Sequence, residues 1–213
     1  MPDFELEQSH DGLACGLDEV GRGPCAGPVV AACVHISVDN YSNPLWQKVN
    51  DSKLITKKTL PTLAEAIKSE CKWAIAESSV EETDQINVVQ ASFLAMNRAY
   101  SEMGQQTTLA LIDGNLTPKS FPCTTKTVIK GDTKSASIAA ASIIAKVYRD
   151  NLMAKLAEHH PHYGWETNAG YPTKQHLEGI ETHGITIHHR KSFAPIKNFL
   201  QFGTTKRQLE IAL

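Results

Sequence analysis

Two apolar runs, Leu13 to Glu19 and Pro28 to Ile36, flank the short glycine-rich link VGRGPCAG. The first carries Leu, Ala and Cys and the second Val, Ala, Cys and Ile, so each reads as a strand. A link this tight suits antiparallel neighbours. The start of the chain therefore commits to a hairpin, and the first strand ends in an acidic pair, Asp18-Glu19.

Three further strands follow: Lys72 to Val80, Thr108 to Asp113 ("TLALID") and the weaker Thr125 to Lys130. Between them lie helical patterns. One covers Lys57 to Cys71, starting near Pro61. A second carries Val89, Phe93, Met96, Tyr100 and Met103 at helical spacing, and a third is the alanine-rich Ser135 to Leu156. Strands followed by strands, then alternating with helices, predict an α/β sheet that contains an antiparallel hairpin.

After residue 157 the texture changes to "HHPHYGWETNAGYPTKQH", dense in turn formers and histidines, with one short helix expected near Thr173 to Thr182. The expected organisation is a catalytic domain over 1–157 and a helical and loop appendage over 158–213.

Composition narrows the class without naming a partner. A net charge of −2 and a pI near 6.5 leave any nucleic-acid contact to local charge. The opening MPDFELEQSHDG has neither a basic nor an apolar leader segment, and no run approaches the roughly 20 apolar residues of a membrane span; a cytoplasmic protein is expected. The five cysteines are odd in number and never spaced as CxxC, which argues against a disulfide framework and a zinc site.

The carboxylates carry the chemistry. Asp18 and Glu19 close one apolar run, and Asp113 closes another just before Gly114-Asn115, where open α/β sheets place ligands. Asp132, in "KGDTKSAS", is either the cap of the long helix or a further acid. Several acids at strand ends repel one another unless cations gather them. Hard oxygen donors suit Mg²⁺ or Mn²⁺, and two such ions can clamp a phosphodiester.

Gly21, Gly23 and Ala26 fit the dinucleotide fingerprint G-x-G-x-x-A. That fingerprint needs a helix next, whereas a strand follows here, and two carboxylates precede it that would repel phosphate. The glycines are better read as letting backbone approach a substrate closely, with Arg22 nearby for phosphate.

At this point the residues resemble a known family. "DEVGRGPCAGPVVAA" (Asp18 to Ala32), "DSKLI" (Asp51 to Ile55), "LIDGN" (Leu111 to Asn115), "KGDTKSASIAAASIIAKVYRD" (Lys130 to Asp150), "NAGYPTKQHLE" (Asn168 to Glu178) and "HHRKSFAPIK" (His188 to Lys197) are similar, in order across nearly the whole chain, to bacterial ribonuclease HII. Gly-Arg-Gly separates it from ribonuclease HIII, where lysine takes the middle position.

The resemblance implies an RNase H-like fold, a mixed five-stranded sheet flanked by helices, with a small helical C-terminal region. It implies cleavage of RNA in RNA/DNA hybrids and incision 5′ to single ribonucleotides in duplex DNA, leaving 3′-hydroxyl and 5′-phosphate ends. It implies that Asp18, Glu19, Asp113 and Asp132 hold two Mg²⁺ or Mn²⁺ ions. The backbone of Gly21, Arg22 and Gly23 would read the 2′-hydroxyl, and Tyr171 would pack on the following deoxyribose.

Asp150 also lies in a matching block, but some five helical turns along the expected helix would carry it away from the strand ends. Lys53, Lys57, Lys58, Lys126, Lys130, Lys134, Lys146, Arg149, Lys174, Arg190 and Lys191 are candidate phosphate contacts. His188-His189-Arg190 reads as phosphate contact or C-terminal packing. Expected partners are hybrid and ribonucleotide-containing duplexes, with a sliding clamp as a candidate protein partner for a monomer. The competing readings are another two-metal nuclease of the same fold class and a catalytically dead hybrid-binding module.

Overall fold

The computed structural model describes residues 1–52 and 55–206. Lys53 lies outside the described residues. Each anticipated strand is present: β1 (Ala14–Val20), β2 (Val29–His35), β3 (Lys72–Ser78), β4 (Leu109–Asp113) and β5 (Thr124–Val128). They form one mixed sheet in the order β3-β2-β1-β4-β5. The hairpin is antiparallel, with Leu17 opposite Cys33, while β1 with β4 and β4 with β5 are parallel.

The two faces of the sheet are sorted by the period of two along a strand. Val30, Ala32 and Val34 pack with Leu63 and Ile67 of α2 (Leu60–Glu70) and with Ala140, Ile143 and Ile144 of α4 (Ala136–His159). Cys15, Leu17, Ala31 and Cys33 pack instead with Ala95, Met96, Ala99 and Met103 of α3 (Val80–Met103). Cover on both faces explains why β2 is buried throughout and reads as a continuous apolar run rather than an alternating one.

The start of α4 is pressed against β1. A Cβ on Gly16 would stand 2.3 Å from the backbone nitrogen of Ile138 and 2.3 Å from the carbonyl carbon of Ser137. Only a residue without a side chain permits that approach. The Ser135 hydroxyl accepts from the Ile138 N–H and caps the helix, and the buried Glu7 carboxylate accepts from both serine hydroxyls, Ser135 and Ser137, and from the Ser137 N–H.

Two helical features extend what the periodicity predicts. The helix expected from Val89 begins earlier, at Val80, and is broken at Asn87, whose φ is +66°. Asn87 Oδ1 accepts from the N–H groups of Val89 and Gln90, so it caps the second half and hides the first from a periodicity search. The first half has its own signal, a Ser79–Glu82 capping box in which each side chain bonds the other residue's N–H. The other addition is helix α7 (Ala194–Phe202), announced only by Pro195 in its first turn and Gly203 at its end.

The chain divides into two compact units, neither continuous in sequence. The first comprises Met1–Val20, Val30–Glu77 and Ser92–Tyr148; the second comprises Gly21–Val29, Ser78–Ala91 and Arg149–Leu213. The second has its own core of Cys25, Ala26, Met153, Tyr163, Trp165, Ile180 and Ile196. It contains α5 (Trp165–Asn168), α6 (Lys174–His183) and α7. Among the described residues no helix is long and apolar enough to cross a membrane.

Candidate active site

In the first unit, strand register sets the acids. Leu17 lies opposite Ile112 on parallel neighbours, so the residues that follow them, Asp18 and Asp113, come level at one end of the sheet. As alternate residues they leave the sheet on the face opposite to Leu17 and Ile112, the face that α4 covers. Asp18 is buried, and it accepts from the Glu19 N–H at 2.8 Å and from the Ser142 hydroxyl of α4. Ser142 in turn is 3.2 Å from the hydroxyl of Ser52, in the DSKLI block.

Burial pushes the Asp18 carboxyl well above the usual carboxylate range, and the negative charges of Glu19 and Asp113 push it the same way. Glu19 and Asp113 are therefore both close enough to act on Asp18. Asp113 Oδ1 also accepts from the Gly131 N–H at 2.6 Å, which ties the end of β4 to the short turn Gly131–Thr133 where the buried Asp132 sits. The cap role considered for Asp132 belongs to Ser135. Asp150 belongs to the second unit, whereas Asp18, Glu19, Asp113 and Asp132 belong to the first.

Among the described residues, no three His, Cys, Asp or Glu side chains are gathered into a ready-made metal cage. The donor set nonetheless suits a hard divalent cation. It consists of carboxylate oxygens, the buried Asp18 is destabilised as an anion by burial and by its like-charged neighbours, and an added cation would offset that cost.

The link between β1 and β2 belongs to the second unit. Gly21 has φ +93°, and a Cβ there would meet Arg149 Nε at 2.2 Å, so the position requires glycine. Arg22 and Gly23 are exposed. The Tyr171 ring lies against Gly23, where a Cβ would stand 3.0 Å from Tyr171 Cε1, and the ring is 51% exposed. The structure thus brings Gly23 and Tyr171 together with the tyrosine open to solvent.

Two of the candidate phosphate contacts are reassigned. Arg149 and Arg190 are buried, and both donate to main-chain carbonyls of the link: Arg149 to Pro28 and Ala26, Arg190 to Gly21, Arg22, Pro24 and Gly27. Their sequence context reads as surface charge because a buried arginine satisfied by backbone leaves no pattern of acidic partners. Ser52 and Ser142 were equally unmarked, since a small hydroxyl in a helix or loop is ordinarily silent.

Two buried histidines of this unit, His176 and His189, are linked in one hydrogen-bonded chain with Trp165. The Thr186 N–H donates to His189 Nδ1, so His189 carries its proton on Nε2. His176 Nδ1 donates to the Tyr171 carbonyl at 2.9 Å, which leaves its Nε2 to accept from both His189 Nε2 (3.1 Å) and Trp165 Nε1 (3.1 Å). Every nitrogen is used, and a further proton on His176 Nε2 would face two donors. Burial holds His189 down to about 3, with His176, His188 and His160 adding repulsion, and burial lowers His176 too.

A pH dependence follows. A base whose pKa falls on folding stabilises the protein fully above its unfolded pKa and loses that contribution as pH drops below it. Between pH about 6.5 and about 3, the unfolded chain takes up a proton that folded His189 refuses, a loss of about 1.4 kcal/mol per pH unit. Urea unfolding at pH 7 and pH 5 is expected to show this loss, and His189→Gln to flatten the dependence. An unchanged slope in the variant would rule the network out as its source.

Comparison with known proteins identifies the family and the fold type. The family model described as Ribonuclease HII matches residues 15–196. The curated Ribonuclease HII of Paramagnetospirillum magneticum is 48% identical over 95% of this chain and 100% of its own length. Among solved structures, the PCNA:RNase HII complex from Archaeoglobus fulgidus aligns with a TM-score of 0.68 at 25% identity, covering 93% of this chain and 98% of that one. Bst-RNase HIII in complex with Mn²⁺ aligns with a TM-score of 0.71 at 19% identity, covering 91% of this chain and 71% of that one, a likeness of fold alone. The mixed five-stranded sheet is thus of the RNase H-like type.

Proposed function

The chain belongs to the ribonuclease HII family, and from that premise we propose that it incises duplex DNA 5′ to single embedded ribonucleotides as well as cutting the RNA of RNA/DNA hybrids. It is an enzyme, a ribonuclease H. The observation that supports metal-dependent phosphodiester chemistry is the group of acids at the β1 and β4 ends: Asp18 is buried, and the negative charges of Glu19 and Asp113 act on it.

In this reading Asp18, Glu19, Asp113 and Asp132 hold two Mg²⁺ or Mn²⁺ ions, as the Mn²⁺ of the RNase HIII relative suggests. Bound there, the ions would supply Lewis acidity for hydrolysis of a phosphodiester to 3′-hydroxyl and 5′-phosphate ends. The chain's own residues orient the donors. Ser142 fixes the Asp18 carboxylate, and the Gly131 N–H fixes that of Asp113.

Gly21, Arg22 and Gly23 follow the acidic pair in the chain after the single residue Val20. Their backbone reads the 2′-hydroxyl, and the exposed Tyr171 ring beside Gly23 packs on the neighbouring deoxyribose. The appendage 158–213 thereby contributes to substrate binding. The same proposal places the protein in the cytoplasm as a monomer, with a sliding clamp as its protein partner by analogy with the Archaeoglobus complex.

The test is cleavage of two otherwise identical duplexes, one all-DNA and one carrying a single ribonucleotide, with Mg²⁺ or Mn²⁺. Incision of the second alone, 5′ to the ribonucleotide, is expected. Equal cutting of both would overturn the reading, and binding without cutting of either would replace it with a hybrid-binding module.

A further inference from the structure

Arg190 is fully buried, and its guanidinium makes five hydrogen bonds, all to main-chain oxygens of one short link. Nε donates to Gly27 O at 2.9 Å. Nη1 donates to Arg22 O at 3.2 Å and Pro24 O at 2.8 Å, and Nη2 to Gly21 O at 2.6 Å and Gly27 O at 2.7 Å. The backbone of the same segment closes the arrangement: the Arg190 N–H donates to Cys25 O, and the Gly27 N–H to His188 O. Burial and the charge of Arg149 bring the Arg190 pKa down to about 9, which leaves it a cation at neutral pH. Asp84 is an acid near enough to act on it. The guanidinium's hydrogen bonds, however, are all to peptide carbonyls.

The carbonyl directions decide where the amides point. Among the described residues there is no cis peptide, and in a trans peptide the N–H points opposite to the C=O. With Gly21 O and Arg22 O aimed at the guanidinium, the N–H groups of the same two peptides, those of Arg22 and Gly23, are turned away from it, on the two exposed residues of the link. A cation on the oxygen end of a peptide also strengthens the N–H end as a donor. The third peptide is used internally: Pro24 O faces Arg190, and its amide, the Cys25 N–H, donates to Gly170 O beside Tyr171.

We infer that Arg190 is a positioning and specificity-determining residue: its carbonyl cage orients and polarises the amides of Arg22 and Gly23 that read the ribonucleotide. The inference rests on the reading of residues 21–23 as the 2′-hydroxyl sensor. It assigns the discrimination between RNA and DNA to a side chain that itself touches no substrate. A lysine in its place keeps the charge but cannot reach four carbonyls in a fork.

The test compares full-length wild type with Arg190→Lys, binding in EDTA to an all-DNA duplex and to the same duplex with one ribonucleotide. The readout is the ratio of the two affinities, which general loss of stability would not move in a protein that remains folded. The ratio is expected to fall at least about tenfold in Arg190→Lys, while affinity for all-DNA stays within about twofold. A folded Arg190→Lys with the wild-type ratio would overturn the inference and leave the sensor reading standing. A wild type with no preference would overturn both. Should Arg190→Lys fail to fold, the Arg190 Nε–H resonance of wild type is followed by NMR. A shift with the ribonucleotide duplex and none with all-DNA supports the inference, and the same response to both overturns it.

Discussion

Asp18→Asn is expected to abolish cleavage and at the same time to stabilise the metal-free protein. The loss should be at least about a thousandfold in rate, since each 1.36 kcal/mol of lost transition-state stabilisation is a factor of ten and a metal-holding carboxylate contributes several kcal/mol. The gain has a separate cause. A carboxyl whose pKa is raised on folding destabilises the folded state at every pH above its unfolded value near 3.9, because the native protein must then hold a charge it resists. Asparagine removes that charge and can keep the hydrogen bond from Ser142. At pH 7 without divalent ions, the melting temperature should rise by about 2–4 °C for each kcal/mol recovered.

Adding Mg²⁺ or Mn²⁺ should invert the order, raising the wild-type melting temperature by mass action and the variant's much less. Calorimetry with and without the ion checks both halves. A variant less stable than wild type in EDTA would show that Asp18 supports the fold and would remove the electrostatic basis for assigning it to metal.

Gly16→Ala is expected to be the most damaging single methyl group in the first unit. The new Cβ would stand 2.3 Å from Ile138 N and Ser137 C, and both are backbone of a capped helix that cannot step aside as a side chain would. Overpacking of this kind costs about 3 kcal/mol or more. That is a large part of a typical total of about 5–15 kcal/mol. Thermal unfolding should begin at least about 6 °C lower. Because α4 carries Ser142 to Asp18, ion affinity should fall with it. A melting temperature within about 2 °C of wild type would mean that α4 does not rest on β1 as described.

The acids show how differently residues become legible. Asp18 and Asp113 stand out in the sequence because each closes an apolar run, and the period of two places them at a strand end before any coordinates exist. Asp132 carries no such mark. Ahead of an alanine-rich helix it reads equally as a cap, and only the structure shows the cap to be Ser135, with Asp132 one residue beyond the Gly131 amide that holds Asp113. The early half of α3 and all of α7 escape periodicity, because one is cut from its continuation by the cap at Asn87 and the other is marked only by a proline and a glycine.

The sequence by itself determined the sheet, the hairpin, the family and the acids at the strand ends, because apolar periodicity and contiguous motifs are local properties written along the chain. Tertiary structure alone decided what the cations do. Lysines and arginines look alike as charges in a sequence, yet Arg149 and Arg190 are drawn inside by carbonyls that only the folded link directs at them. Which peptide faces inward, and therefore which amide faces outward, depends on contacts between residues more than 160 positions apart, such as Arg190 with Gly21, and no local pattern records them.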